Sequence, residues 1–485
     1  MANNSDSVLQ IENYIDGEFV ETARYMDSVN PARGVVWAKV PDSGEEELNR
    51  AVSAAKKAFE TWSKTSVQER SRCLLKMAEL LESQLESFAE IESRDQGKPV
   101  SVARNVDIPR AVYNLRVFGT AILHHLEMSS FQEDFFALNY TSRLPVGVAG
   151  IICPWNLPMY LLTFKIAPAL ACGNTVVCKP SEMTSVTAWM LCKLCTEAGV
   201  PRGVINMVFG TGHRVGDALV RHPDVRVISF TGSTLTAEKI RLATATQCKK
   251  LSLELGGKNA AIIFDDVNLE KCIPTVTRST FINQGEVCLC TSRIFVQRGV
   301  FDEFITKFVK SASTITVGDP DDKDTWMGAL ISPEHLAKVS GYVNLAKEEG
   351  ATILTGDEPD RIKLNSKNAK GYFFPPTVIT NVSDNSKLMQ EEIFGPVVCV
   401  VPFTTEDEYG LCASIWSQNV NTVHRVARQL QVGTVWANCW LVRDLHMPFG
   451  GLKNSGVGRE GLIHSVDLFT EVKTVCVQLD QPGNQ

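Results

Sequence analysis

One cysteine of the 485-residue chain sits where it could act as a nucleophile, in Asn283-Gln284-Gly285-Glu286-Val287-Cys288-Leu289-Cys290. A reactive thiol needs partial access and help toward the thiolate, and a glycine turn feeding a helix would supply backbone N–H dipoles for that. The same residues read equally well as a buried core thiol. A second segment, Leu251-Ser252-Leu253-Glu254-Leu255-Gly256-Gly257-Lys258-Asn259, ends a strand-like alternation with an acid and a glycine turn. Glu254 is placed there for proton transfer, or is an ordinary solvated carboxylate at a strand end. A third segment, Cys153-Pro154-Trp155-Asn156-Leu157-Pro158, holds an amide between two prolines directly after the apolar run 146–152. Rigid flanks suit a preorganised donor to an oxyanion.

The elements that must position these groups follow from the hydrophobic pattern. Helical spacing runs through Glu45–Trp62 and 69–93, and the stretch before residue 130 reads as mostly helical. From 146 onward, short β-branched runs at 146–152, 175–178, 204–209 and 227–230 alternate with helical segments, which predicts a parallel sheet with crossover helices. A second series at 260–264, 293–296, Val397–Phe403, 414–416 and 433–437 predicts a second α/β unit. The polar insertion 357–370 reads as a surface loop, and 472–479 as a further strand.

Composition narrows the function. With 44% hydrophobic and 21% charged residues the chain is globular, and a net charge of −7 is wrong for a nucleic-acid binder. Neither a signal peptide nor a membrane span is expected. Fourteen cysteines without framework spacing fit a reducing compartment, so the cytoplasm is the expected location and no metal site is expected. Cys192 and Cys195 have C-x-x-C spacing but fall on one face of a helical run, where core packing is their expected role.

Together the three segments resemble the aldehyde dehydrogenase superfamily over essentially the whole chain. The resemblance extends to Lys179-Pro180-Ser181-Glu182, Phe230-Thr231-Gly232-Ser233, Glu392-Ile393-Phe394-Gly395-Pro396 and Pro448-Phe449-Gly450-Gly451, in the family's order. It implies that Cys288 attacks an aldehyde, that Asn156 and the Cys288 N–H hold the oxyanion, and that Glu254 activates the water that hydrolyses a thioester. It implies NAD as cofactor, bound by Trp155, Lys179, Glu182, Gly212, Gly216, Phe230, Gly232, Ser233, Leu255, Glu392 and Phe394. A carboxylate facing the ribose 2′-OH favours NAD over NADP. The run Gly210-Thr211-Gly212-His213-Arg214-Val215-Gly216 is one residue longer than the usual dinucleotide fingerprint, a departure that itself resembles the family. A cofactor-free thiol hydrolase would need a histidine partner, and the candidates near these motifs are His213 and His446. The implied architecture is α/β: a doubly wound NAD-binding domain (1–125 and 146–255), a second α/β catalytic domain (256–435), and a small β oligomerisation arm (126–145 and 472–485). The segment 436–471 lines the substrate tunnel, and the assembly is a homodimer or homotetramer.

Two positions that correspond to tunnel walls are arginines, Arg110 and Arg443, near Phe449. Guanidinium groups grip carboxylates bidentately, and an unpaired charge in a dry tunnel is costly, so a carboxylated aldehyde is expected. The competing reading pairs each arginine with a nearby acid, Asp107 or Asp444. The runs 189–193, 249–259, 288–297 and 438–441 resemble the 2-aminomuconic semialdehyde dehydrogenase subfamily of tryptophan catabolism through the kynurenine route. The alternative substrate is retinal or a general aliphatic aldehyde.

One stretch departs from the family. Between Phe403 and Tyr409 only Thr404-Thr405-Glu406-Asp407-Glu408 stands where relatives place a helix of several turns. A crossover between parallel strands takes about a dozen residues or more, so Val397–Phe403 and 414–416 are expected not to pair as in relatives. A catalytically silent, structural or oligomer-partner form of the same fold is the alternative this raises.

Overall fold

The β-branched runs alternate by two, and the computed structural model, which describes residues 8–356, 362–403 and 413–480, shows the result as sheets buried on both faces. In the first sheet Ala149, Ile151, Val176 and Cys178 enter one apolar core while Val148, Val177 and Ile228 enter another. Helices Val67–Ser83, Ile108–Ala121, Pro158–Ala171 and Val186–Glu197 close the first core. Glu45–Trp62, Asp217–Arg221 and Thr234–Thr244 close the second. The sheet is thus doubly wound.

Its five central strands are parallel, in the order Lys250–Glu254, Val225–Thr231, Val148–Ile152, Thr175–Lys179, Ile205–Met207. Antiparallel strands flank them. Asn13–Ile15 and Glu18–Val20 extend one edge, and Gly456–Val457, from far along the chain, extends the other beside Glu254. The second sheet runs Thr352–Thr355, Thr377–Thr380, Val397–Phe403, Thr291–Gln297, Asn259–Ile263, Ala413–Trp416, Val435–Ala437, parallel except at its first strand. Here too alternate residues divide between cores: Ala260 and Ile262 on one side, Ala261 and Ile263 on the other. A third sheet pairs Thr470–Gln478 with Ala137–Pro145 along their whole length, and Ser129–Gln132 joins it. Among the described residues no helix is long and apolar enough to cross a membrane.

Two expectations are corrected. The stretch before residue 130 is not mostly helical at its start, because residues 9–41 contribute the strands Leu9–Gln10, Tyr25–Asn30 and Val35–Pro41 as a small sheet, besides two edge strands of the large one. Leu9–Gln10, Asn13–Ile15 and Glu18–Val20 are too short to carry a period, and Tyr25–Asn30 and Val35–Pro41 are partly exposed and mix polar with apolar residues. The predicted helix 69–93 is two helices, Val67–Ser83 and Leu85–Gln96, broken at Gln84. The Ser83 hydroxyl donates to the Leu80 carbonyl at 2.8 Å, a local bond that competes with the helix ladder.

The shortened segment 404–408 lies outside the described residues, as does 357–361 of the polar insertion. The strands flanking the shortened segment, Val397–Phe403 and Ala413–Trp416, both take places in the second sheet, with Thr291–Gln297 and Asn259–Ile263 between them.

Candidate active site

Cys288 follows the helix Leu269–Phe281, and the chain turns there through left-handed residues: Asn283 at φ 53°, Gln284 at 58° and Gly285 at 72°. Gly285 is obligatory, since a Cβ on it would lie 2.3 Å from the Gly395 carbonyl oxygen. The turn leads into the strand Thr291–Gln297, so the expected helix beginning at the cysteine is absent. The thiol is half-buried, and its loop is tied by Asn259 Nδ2, which donates to the carbonyls of Cys288 (2.6 Å) and Cys290 (2.9 Å). Cys290 is buried, and burial pushes its thiol far above the ordinary range.

Asn156 is fixed from both sides. Its side-chain amide donates to the Glu286 carbonyl at 2.9 Å, which leaves its second N–H free to serve another acceptor. Its main-chain oxygen accepts from Lys98 Nζ (3.0 Å) and Asn283 Nδ2 (3.1 Å), and Lys98 is itself paired with Asp107 in a fully buried ion pair.

Glu254 ends the strand Lys250–Glu254 and is buried, with one carboxylate oxygen lacking any hydrogen-bond partner. Burial holds its proton on well above the usual carboxylate range, and the Glu460 carboxylate adds to this. Lys165, Arg443 and Arg459 oppose it. Glu460 is bound to Lys165 Nζ at 2.7 Å.

Glu254, Leu255, Cys288, Arg443 and Phe449 line one cavity of about 70 Å³. Trp155, Asn156, Gly232, Ser233, Leu255, Cys288, Glu392 and Phe394 line a second, of about 220 Å³, so the thiol faces both. Lys179, Gly212 and Gly216 line a third of about 330 Å³, and the helix Thr234–Thr244 borders the second and third through Ser233 at its N-cap and Thr236 in its first turn. Both of these lie at the carboxyl ends of the parallel strands, where open α/β sheets bind ligands. The Thr231 hydroxyl, at the end of its strand beside the second cavity, is buried without a partner. A helix N-terminus between two cavities and an unmet hydroxyl suit a dinucleotide. Lys179 Nζ meets Glu182 at 2.6 Å, and the Glu392 carboxylate accepts from the Gly257 N–H at 3.1 Å. Phe230, expected at the cofactor, instead packs in the core with its ring under Gly232, where a Cβ would sit 2.4 Å from Phe230 Cζ.

The two arginines are not paired with the neighbouring acids. Asp107 is taken by Lys98, and Asp444 by His446. Arg443 donates through Nη1 to the Tyr160 hydroxyl at 3.0 Å, with its guanidinium carbon 3.8 Å from the Phe449 ring centre and 4.7 Å from that of Phe164. Arg110 lies over the rings of Tyr113 and Tyr160 at 5.0 and 5.4 Å. In both, Nε and Nη2 are buried and have no hydrogen-bond partner among the described residues. Those two atoms form one edge of a guanidinium, the edge that grips a carboxylate with two parallel bonds. Tyr160, His335, Lys338 and Glu460 also belong to the site. Tyr160, two residues beyond Pro158, was within reach of the sequence. His335, beside the second cavity, lies far from every motif, whereas His213 and His446 stand apart from every cavity that Cys288 lines.

Residues 19–475 match the aldehyde dehydrogenase family. The chain is 59% identical to a 2-aminomuconic semialdehyde dehydrogenase of Danio rerio over 97% of its own length and 98% of that protein's. It is 56% identical to the 2-aminomuconic semialdehyde dehydrogenase of Homo sapiens, covering 98% and 99%. Among solved structures, the NAD+ complex of an aldehyde dehydrogenase from Bacillus cereus superposes with a TM-score of 0.93 at 39% identity, covering 97% of each chain. With its thiol, buried carboxyl and amide gathered at the carboxyl ends of a doubly wound sheet, this chain belongs to the aldehyde dehydrogenase family.

Proposed function

We propose that this protein oxidises 2-aminomuconic semialdehyde to 2-aminomuconate with NAD, in tryptophan catabolism, acting in the cytoplasm as a homodimer or homotetramer. The observation that carries the substrate is the pair of guanidinium groups, each with the same two-donor edge buried and unmet. A carboxylate offsets that desolvated charge, whereas retinal or an aliphatic aldehyde leaves it bare. The names of the relatives agree with this reading.

In the proposed mechanism Cys288 Sγ attacks the aldehyde carbon, and the free N–H of the Asn156 amide and the Cys288 backbone N–H bind the oxygen as it becomes an anion. The two-electron oxidation that turns the resulting thiohemiacetal into a thioester is supplied by NAD when bound. Glu254 then takes a proton from the water that attacks the thioester carbonyl, the C–S bond breaks, and Cys288 leaves as the thiolate while the product is released as the acid. Lys179, Glu182, Ser233, Glu392 and Phe394 hold the cofactor along the second and third cavities. Arg110 and Arg443 hold the substrate carboxylate, with Tyr160 steadying Arg443. The small sheet Ser129–Gln132, Ala137–Pro145 and Thr470–Gln478 joins subunits.

Arg443→Ala tests the carboxylate clamp. With a muconic semialdehyde, kcat/KM falls roughly 10- to 100-fold, the effect of losing a bond to a charged group. A plain aliphatic aldehyde is affected far less. Equal losses on both substrates overturn the clamp.

A further inference from the structure

His335 takes no part in the steps above, yet it lines the cavity between Trp155 and Phe394 beside the thiol. It sits in the first turn of the helix Pro333–Glu348, where the Ser332 side chain caps the His335 N–H at 3.1 Å. Its ring meets Trp155 edge-on at 5.5 Å and Phe394 at 6.2 Å, and those two rings meet each other at 5.4 Å. His335 Nε2 lies 2.7 Å from the Phe394 carbonyl oxygen. A carbonyl only accepts, so Nε2 carries the proton. Burial pushes the imidazole down to about 4, which keeps it in that neutral form.

The carbonyl it holds belongs to a residue under strain. Phe394 is at φ 62°, a left-handed conformation that a bulky residue adopts only when its surroundings impose it. Three contacts impose it. His335 holds the Phe394 carbonyl, Lys338, one helical turn further on, donates to the Glu392 carbonyl at 3.0 Å, and the next peptide oxygen, that of Gly395, abuts Gly285 of the cysteine turn. Glu286 Oε1 lies 3.6 Å from the same imidazole nitrogen, accepts the Ile331 N–H at 3.1 Å, and through its main-chain oxygen holds Asn156. One buried node therefore joins the cofactor side of the cavity to the oxyanion side.

We propose that His335 is a positioning residue for the nicotinamide end of the cofactor: its Nε2–H locks the Phe394 carbonyl, and so presents the Phe394 ring and the Glu392 carboxylate to the cavity beside Cys288. This rests on the assignment of that cavity to NAD. NAD binding is read without turnover by equilibrium dialysis of the protein against the cofactor. In His335→Ala the Kd for NAD rises at least about five-fold, and kcat falls with a larger isotope effect from deuterium on the aldehyde carbon. The KM for aldehyde and the rate of Cys288 alkylation by iodoacetamide stay at wild-type values. His335→Gln, whose amide N–H can reach the same carbonyl, restores the Kd. An unchanged Kd in His335→Ala, a His335→Gln as impaired as the alanine variant, or slowed alkylation of Cys288 overturns the proposal. A wild-type protein that retains no NAD in dialysis overturns the cofactor assignment itself, before any variant is compared.

Discussion

Glu254 must shed a proton before it can act as a base, and its surroundings resist that. Burial comes first and the Glu460 carboxylate second, so the thioester is hydrolysed only as pH climbs through a value well above the usual carboxylate range. Glu460→Gln removes the repelling charge and leaves Lys165, whose attraction remains. The acid limb of product release, measured in single turnovers with the acyl-enzyme preformed, therefore moves to lower pH; an unmoved or raised limb refutes the coupling. The sequence singled out Cys288, Glu254 and Asn156 through compact motifs read together as a family resemblance, and the structure brings the three to adjoining cavities. Lys165 with Glu460 was not legible there, since the pair joins positions 295 residues apart. The expected N–H dipoles of a helix start at Cys288 were wrong for a related reason, because the glycine turn closes a helix and feeds a strand.

At the scale of elements, the strands Ser129–Gln132, Ala137–Pro145 and Thr470–Gln478 place Phe131, Leu138, Tyr140, Leu144 and Val477 in the open, each between 38 and 47% exposed. Period two puts Leu138, Tyr140 and Leu144 on one face, opposite Val477 on the partner strand, and this exposed apolar face is the one the proposed subunit contact would cover. A double substitution, Leu138→Lys with Tyr140→Lys, is expected to shift the protein to a smaller species in light scattering. An unchanged mass would place the subunit contact elsewhere. Long helices were legible because one buried face writes a strong period, as at Glu45–Trp62, and fully buried strands because burial on both faces leaves an unbroken apolar run, as at Thr175–Lys179. Strands of two or three residues, such as Leu9–Gln10 and Asn13–Ile15, are too short to carry a period and are held by pairing with distant partners.

Across the whole molecule, several acids are buried where they prefer to stay neutral. Burial pushes Glu92 up to about 8, with Asp107 adding to it, and burial pushes Asp95 up to about 7. In the unfolded chain both titrate near pH 4. Between that value and 7 to 8 the folded protein holds protons that the unfolded one has lost, so stability falls as pH rises. His335, shifted the other way, offsets this only below its unfolded value of 6.5. The unfolding free energy from urea titrations is thus expected to drop between pH 6.5 and 8, by about 2 kcal/mol from the two acids together, and a flat or rising profile would count against these buried neutral carboxyls. The strand Gly456–Val457, paired beside Glu254, also says something about manufacture. A chain growing on the ribosome folds from its N-terminal end, so most of both sheets and the reactive thiol can form while Arg443, Phe449 and Glu460 are still unmade. During synthesis the nucleophile exists before the chamber that chooses its aldehyde.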